Sequence, residues 1–404
     1  MQVLIFGGSG RIGSAAAWDM VGDREVELIG IVGRNQASLA STSRWLGSDR
    51  VLCLLPEEAD LALSSFDVAV IALPDRRSSY RAVEACISAG VDSVDVLEEY
   101  HRRPDLHEKE GLQSPAGLDL NEYGEDLHRR ALQAGVCLLD GMGFAPGLSN
   151  AAIGQAIRQM DRADEAVARV GGIPDRASAA RHPLGYMVTW SFGHVLREYS
   201  VPVTVIRGGV LEEVKATSGR EVFRFDRCGH DEDLECAITP GMPSFLHTRP
   251  GLRDFCEKTI RWPGHWAAVD MLRSCGLLEA KPVLIGGQPV VPREALAAIM
   301  EPRLRPLPDD RDVCVMWNTV CGMIDGRPVR ADQYMWAEGG DGLSAMARVT
   351  GSSAAIGARL LARGAIQERG IAAPEDALAG RAYQEYMEEL RQRSIVVEEA
   401  WCGR

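Results

Sequence analysis

The sequence opens MQVLIFGGSGRIGSAAAWDM, with four glycines in seven residues directly after an apolar run. Gly8, Gly10 and Gly13 fit G-x-G-x-x-G, a spacing whose chemistry is the binding of a dinucleotide pyrophosphate. Its glycines permit a tight turn, bring backbone N–H groups against phosphate and let a helix pack close to a strand. Ser9, Arg11 and Ile12 lie among them and belong to the same candidate site. A second apolar run, VELIGIV, follows at βαβ spacing, and the residue after it is the one that meets the adenosine ribose. That place reads VGRN. Gly33 stands where an acid would hold the 2′-OH of NAD, followed by Arg34 and Asn35. With no carboxylate there to repel a 2′-phosphate, NADP is the favoured cofactor and NAD the alternative. Leu73 and Pro74, in ALPDRR after a further strand, complete the cofactor set.

Gly7, Gly10 and Gly13 also fit the G-x-x-G-x-x-G of extended short-chain dehydrogenases, whose chemistry needs Tyr-x-x-x-Lys. The four lysines, Lys109, Lys215, Lys258 and Lys281, never lie four residues after a tyrosine, so that chemistry is excluded. Ligands in open α/β sheets sit beyond the carboxyl ends of the strands. ALPDRR, SVDVLEEY and DGMGFAPGLSN occupy such ends. Asp95 ends an apolar strand, where a carboxylate needs a partner; Glu98 and Glu99 read as a solvated loop. The stretch from 95 to 122 is far longer than an ordinary strand-to-helix link and is a candidate lid. Asn150 reads as a helix cap.

The elements that must position these residues follow from the pattern. VELIGIV, RVLCLL, DVAVIAL, VDSVDV and GVCLLD alternate with helical stretches, which predicts a doubly wound parallel sheet of Rossmann type. From about Asp164 to Tyr334, runs such as MVTWSF, VPVTVIRGG, EVFRF and DVCVMWNTV alternate with turns. That composition predicts an α+β domain with a mainly antiparallel sheet, carrying helices at HWAAVDMLRSCG and PREALAAIM. Residues 342–363 read as helix and a polar tail follows. The 404 residues suit two domains, and the net charge of −13 argues against nucleic acid or anionic membrane as partner. No window is long and apolar enough for a membrane span, and the apolar start lacks a basic leader. Ten scattered cysteines without Cys-x-x-Cys predict reduced thiols, a cytoplasmic setting and no metal, and no H-E-x-x-H occurs.

GFAPGLSNAA, RVGGIPDR, PLGYMVTWSFGHVLREYSVPVTVIRGGVLEEV, EKTIRWPGHW and AMARVTGSSAAIGARLLARGAI occur in an order that resembles the saccharopine dehydrogenase-like family, most closely its lysine 6-dehydrogenase branch. The resemblance implies a Rossmann domain over 1–145, an inserted substrate-binding and dimerisation domain over 146–342, and a helical segment over 343–404 that returns to the first. It implies an NAD(P)-dependent amine dehydrogenase or imine reductase acting on a small amino-acid-like amine or imine, and a homodimer. Departures narrow the substrate. The saccharopine reductase branch has an acid before the Pro-Gly, a cysteine before the Gly-Gly and an arginine after Trp-Ser, where this chain has Ala145, Val170 and Phe192-Gly193. A saccharopine- or opine-type reductase, a semialdehyde reductase and a non-catalytic NADP-binding regulator are the alternatives.

Oxidation of an ammonium needs a base to free the nitrogen lone pair, and imine reduction needs an acid. Asp95 and His265 are the candidates, with His265 equally readable as a structural residue at the start of a helix. Arg261, in the same TIRWPGHW motif, suits a substrate carboxylate or an ion pair. Tyr186 and His194 complete the candidate catalytic set; Tyr186 and Trp190 also read as core.

Overall fold

Val3, Leu4 and Ile5 are fully buried because the first strand, β1 (Gln2–Phe6), lies in the middle of a seven-stranded parallel sheet covered on both faces. The computed structural model describes residues 1–104, 112–189 and 192–403. The chain divides into two compact units. The first comprises Met1–Gln159, Met242–Arg249 and Ala347–Ile395. Its further strands are β2 (Leu28–Val32), β3 (Val51–Leu54), β4 (Val68–Ile71), β5 (Asp92–Asp95) and β6 (Cys137–Leu139). Across the sheet they run β6, β5, β4, β1, β2, β3, with the strand Gly370–Ala372 outside β6. The order reverses at β1, so the crevice for a ligand opens between the carboxyl ends of β1 and β4.

The crossovers are α1 (Arg11–Val21), α2 (Gln36–Leu46), α3 (Pro56–Ala62), α4 (Arg76–Ala89) and α5 (Leu120–Ala134), and α6 (Leu148–Arg158) follows β6. Three of them start at an acceptor side chain that satisfies an otherwise orphaned backbone N–H. Asn35, Asp75 and Asp119 accept from the N–H of Ser38, Ser78 and Glu122 at 3.0, 2.9 and 2.9 Å.

The second unit comprises Met160–Gly241, Pro250–Met346 and the chain from Val396 onward. Its main sheet runs Glu221–Phe225, Glu232–Ile238, Asp254–Arg261, Arg162–Pro174, Asp312–Ile324, Arg327–Glu338, Glu398–Cys402. All these neighbours are antiparallel except Asp254–Arg261 beside Arg162–Pro174. The hairpin Val203–Arg207 and Val210–Val214 joins it at Phe255. The strands Asp312–Ile324 and Arg327–Glu338 turn at Asp325-Gly326, both with positive φ, as a tight two-residue hairpin requires.

Two expectations change. MVTWSF does not form a strand in its described part: Phe192–Glu198 is helical, and Met187–Thr189 are irregular. The reason is spacing, since Phe192, Val195, Leu196 and Tyr199 bury one stripe at helical period in a core that includes Trp266 and Leu296. The polar tail also holds structure: Gly370–Ala372 extends the parallel sheet beside β6, Gly380–Gln392 is helix, and Glu398–Cys402 pairs with Arg327–Glu338. No helix among the described residues is long and apolar enough to cross a membrane.

Candidate functional site

The glycine turn after β1 is built by close backbone approach. Gly7 has φ +74°, a conformation L side chains rarely adopt, and its carbonyl accepts from the Gly10 N–H at 2.8 Å. The Gly8 N–H reaches the Val32 carbonyl at 3.0 Å, and a Cβ at position 8 would stand 2.7 Å from Ile31 Cβ. At position 13 it would stand 2.8 Å from the Gly7 carbonyl carbon and 2.9 Å from Gly8 Cα. Gly8 and Gly13 therefore hold helix, turn and strand together. Gly10 begins α1 without a side-chain cap, and the first turn carries no acid. That leaves helix N–H groups and the positive end of the helix dipole for an anion, so the residues fit a dinucleotide pyrophosphate. Ser9 and Ile12 are half-buried along the turn, and Arg11 is exposed.

At the end of β2, the Gly33 N–H donates to Leu54 O at 3.2 Å, and a Cβ there would lie 3.0 Å from Ser9 Oγ. Arg34 is exposed and has no hydrogen-bond or ion-pair partner among the described residues, whereas Asn35 is committed to capping α2. Leu73 and Pro74 follow β4; a Leu73 methyl would lie 3.5 Å from a Cβ at Gly7.

Beyond the carboxyl ends of β5 and β6 lies a buried polar cluster. Asp95 is 1% exposed; it accepts from the Ser79 hydroxyl of α4 and, at 2.6 Å, from the Leu97 N–H. Ser79 Oγ is also 2.9 Å from His101 Nε2. The other side of that ring is fixed by Asp140, whose carboxylate accepts from His101 Nδ1 at 2.8 Å and from the His101 backbone N–H at 2.6 Å. Burial pushes the Asp95 carboxyl up to about 6, opposed by His101. Burial alone would lower the His101 value, but Asp140, Asp95 and Glu99 outweigh it and hold it up at about 9. Glu99 differs from its expected solvated place: it is buried and paired with Arg76 of α4 at 2.7 Å, because a charge so close to the sheet end needs its counterion. Glu98 is half-buried. The candidate lid falls partly on 105–111, outside the described residues.

In the second unit a chain of donors joins three side chains. Arg261 Nε donates to the Tyr199 hydroxyl at 3.0 Å, and that hydroxyl is 3.1 Å from His265 Nε2. His265 Nδ1 is 3.1 Å from the Leu184 carbonyl, which can only accept, so Nδ1 carries the proton and Nε2 accepts from Tyr199. Burial, and then the Arg261 charge, drop the His265 value to about 3, so the ring is neutral at physiological pH. Arg261 Nη1 donates to Ile260 O at 2.9 Å, leaving three of the five guanidinium N–H donors uncommitted among the described residues. Tyr186 packs against both, its ring centroid 5.1 Å from the Arg261 guanidinium and 5.8 Å from the His265 ring. His194 sits on its own helix with Arg197 Nη2 at 2.8 Å and Glu198 at 3.4 Å. Nearby Glu257 is buried, accepts from Thr239 at 2.9 Å, and is pushed well above the carboxylate range by burial. Trp190 lies outside the described residues.

Asp95 is thus in the first unit, and Arg261, His265, Tyr186 and His194 are in the second. Asn150 is buried and does more than cap: its Oδ1 accepts from the Gly147 N–H at 3.0 Å, and its Nδ2 reaches Ser244 at 3.1 Å and Glu375 at 3.0 Å. Sequence reasoning missed His101, Ser79 and Tyr199. The one available signal for His101 was that Asp95 and Asp140 both end apolar strands and each requires a donor.

Comparison with known proteins gives two family matches that together span nearly the whole chain. The saccharopine dehydrogenase NADP binding domain matches residues 3–139, and the saccharopine dehydrogenase C-terminal domain matches residues 143–396. Among solved structures, the L-Glu-forming saccharopine dehydrogenase of Saccharomyces cerevisiae is 18% identical with a TM-score of 0.76, covering 100% of each chain. At that identity the likeness is one of fold. A probable dehydrogenase from Thermotoga maritima is 9% identical, with a TM-score of 0.43 over 99% of this chain and 98% of that one. A putative myo-inositol dehydrogenase from Sinorhizobium meliloti is 14% identical, with a TM-score of 0.33 over 65% of this chain and 69% of that one.

Proposed function

The chain belongs to the saccharopine dehydrogenase family, and from that premise we propose that it is an NADP-preferring oxidoreductase acting on the C–N bond of an amino-acid-like amine or imine, similar to lysine 6-dehydrogenases. The observation that carries the reading is the glycine turn, whose backbone approach excludes side chains and ends in an uncapped, acid-free helix start. A nicotinamide dinucleotide, when bound, supplies the two-electron hydride carrier. Gly8, Ser9, Gly10, Arg11, Ile12 and Gly13 hold its pyrophosphate. Gly33, Arg34 and Asn35 meet the ribose, with the unpaired Arg34 toward a 2′-phosphate, and Leu73 and Pro74 flank the dinucleotide after β4.

Asp95 is the acid/base of this reading: its raised carboxyl is suited to taking and returning a proton near neutrality. Arg261 binds a substrate carboxylate with its uncommitted Nη donors, and Tyr199 and His265 hold the guanidinium in place. Tyr186 packs on Arg261 and His265, while His194, held by Arg197 and Glu198 on its own helix, is a further catalytic candidate of the second unit. Ala145 and Val170 stand where the saccharopine reductase branch has an acid and a cysteine, which favours a smaller amine over saccharopine itself. Half-buried Phe223, Trp317 and Trp336 on one sheet support assembly as a homodimer, checked by light scattering.

The test is a screen of amines with NADP⁺ and NAD⁺, run beside carbonyl compounds with NADPH in the presence and absence of ammonia. Amine-dependent reduction of NADP⁺, with ammonia required in reverse, supports the reading. Ammonia-independent carbonyl reduction identifies a semialdehyde reductase, and tight NADPH binding without any turnover identifies a regulator.

A further inference from the structure

The buried cluster beyond β5 contains more proton sites than one acid/base needs. His101 is 0% exposed and Asp95 1%, and both contact the same hydroxyl, that of Ser79. The sequence of partners Ser79, His101, Asp140 is that of a nucleophilic triad, but the Ser79 hydroxyl is already committed to Asp95 and is not free to attack a substrate. A proton count gives another use. Asp140 accepts twice from His101, which fixes the proton on Nδ1. A serine hydroxyl has one proton to donate, yet Asp95 Oδ2 and His101 Nε2 both face it. One of the two must therefore carry a proton itself.

Two arrangements satisfy every atom. In the first, His101 Nε2–H donates to Ser79 Oγ, and the Ser79 hydroxyl donates to ionised Asp95. In the second, protonated Asp95 donates to Ser79 Oγ, and the Ser79 hydroxyl donates to neutral His101. They interconvert when Ser79 passes its proton to one neighbour as it takes one from the other; no bond between heavy atoms changes.

We propose that Ser79 and His101 are positioning residues that make Asp95 share one proton with the imidazole, so that the acid/base acts as a pair anchored by Asp140. This rests on the role given to Asp95 above. The groups facing the pair are Asp140 at the end of β6, Glu99 in the loop after β5, Arg76 and Tyr80 of α4, and Cys86 further along α4. The Tyr80 ring lies 4.2 Å from the His101 ring. Arg76 is neutralised by Glu99 at 2.7 Å, so the shared proton decides whether the remaining cluster holds an imidazolium between two carboxylates or a neutral ring beside one. The two titrations are accordingly coupled.

The experiment is ¹⁵N NMR of the full chain labelled at histidine, with His101→Gln used for assignment, titrated without substrate. His101 is expected to be doubly protonated at pH 7 and to report a second inflection, near 6, that belongs to Asp95. That inflection should vanish in Asp95→Asn; in Ser79→Ala, where the ring and the carboxylate still face each other at 3.8 Å, it should shift in pH and change in amplitude, and the wild-type profile should return in Ser79→Thr. A His101 titration with one inflection, identical in Asp95→Asn, overturns the sharing. With a turned-over amine in hand, the acid limb of kcat/KM should move by at least half a pH unit in Ser79→Ala while NADPH affinity holds. An unmoved limb overturns the role in the reaction. If no amine is turned over, the function assigned above fails while the NMR result still decides whether the proton is shared. Should Ser79→Ala not fold, Asp95→Asn and Ser79→Thr carry the same comparison.

Discussion

Replacing Gly13 by alanine tests the cofactor assignment at its most constrained atom. The new Cβ would meet the Gly7 carbonyl carbon at 2.8 Å and Gly8 Cα at 2.9 Å, about half an ångström inside ordinary contact, and both neighbours are backbone. Neither can rotate away, so α1 and the turn must separate, which takes the N–H groups of the helix start off the pyrophosphate. Overpacking of this kind costs roughly 1–3 kcal/mol. If that strain falls on the bound geometry, the NADPH dissociation constant rises by roughly 5- to 150-fold. Fluorescence titration of NADPH into wild type, Gly13→Ala and a control, Gly251→Ala, measures it. Nothing lies within 4 Å of a Cβ at Gly251, so the control should bind as wild type. Wild-type affinity in Gly13→Ala, with unchanged thermal stability, would refute the reasoning that this turn is the pyrophosphate site.

Gly33→Asp should shift the NADP/NAD preference toward NAD by on the order of tenfold, since it adds an acceptor for the 2′-OH and a charge against phosphate; Ser9 and Leu39 must yield a few tenths of an ångström to admit it. Arg34→Ala should weaken NADPH by roughly 5- to 30-fold and leave NADH nearly unchanged, as expected for one charge-assisted contact of about 1–2 kcal/mol; equal losses for both cofactors would place the 2′-phosphate elsewhere. Arg261→Lys should raise KM more than it lowers kcat, because the charge stays while the planar fork and the hold on Tyr199 go. His265 is held at about 3 in the folded chain, well below its value of about 6.5 unfolded. Its contribution to stability is therefore complete above 6.5 and is lost as pH falls toward 3, with a slope approaching about 1.4 kcal/mol per pH unit. Denaturant unfolding at several pH values should show that slope reduced in His265→Leu. An alkaline loss in its place would mean that the ring is charged.

The Rossmann unit was legible because each strand is a short apolar run closed by a turn signal, and three of its helices start where Asn35, Asp75 and Asp119 can cap them. The glycine turn was legible for the same reason: all its constraints are local. The buried cluster around Asp95 was only half legible. Asp95 stood out as a carboxylate in an apolar strand, but its partners come from 16 residues before it and from His101, which itself is fixed by Asp140 39 residues on. Arg261 and His265 share a motif, yet the group that joins them, Tyr199, is 62 residues from Arg261 and shows in the sequence as one apolar position of a helical stripe. The strand Gly370–Ala372 has three residues, too few for any period to register, and takes its place from pairing with β6. What sequence lacks here is the long-range pairing that a buried charge demands.

The central claim, hydride transfer from a carbon bearing nitrogen, is tested most directly by isotope transfer. An amine found active in the screen is supplied with deuterium on the carbon attached to its nitrogen, together with NADP⁺, and the reduced cofactor is examined by mass spectrometry. One deuterium per NADPH formed is expected, with a stoichiometric imine or its hydrolysis product. Reduced cofactor free of deuterium, formed from the same amine, would contradict it.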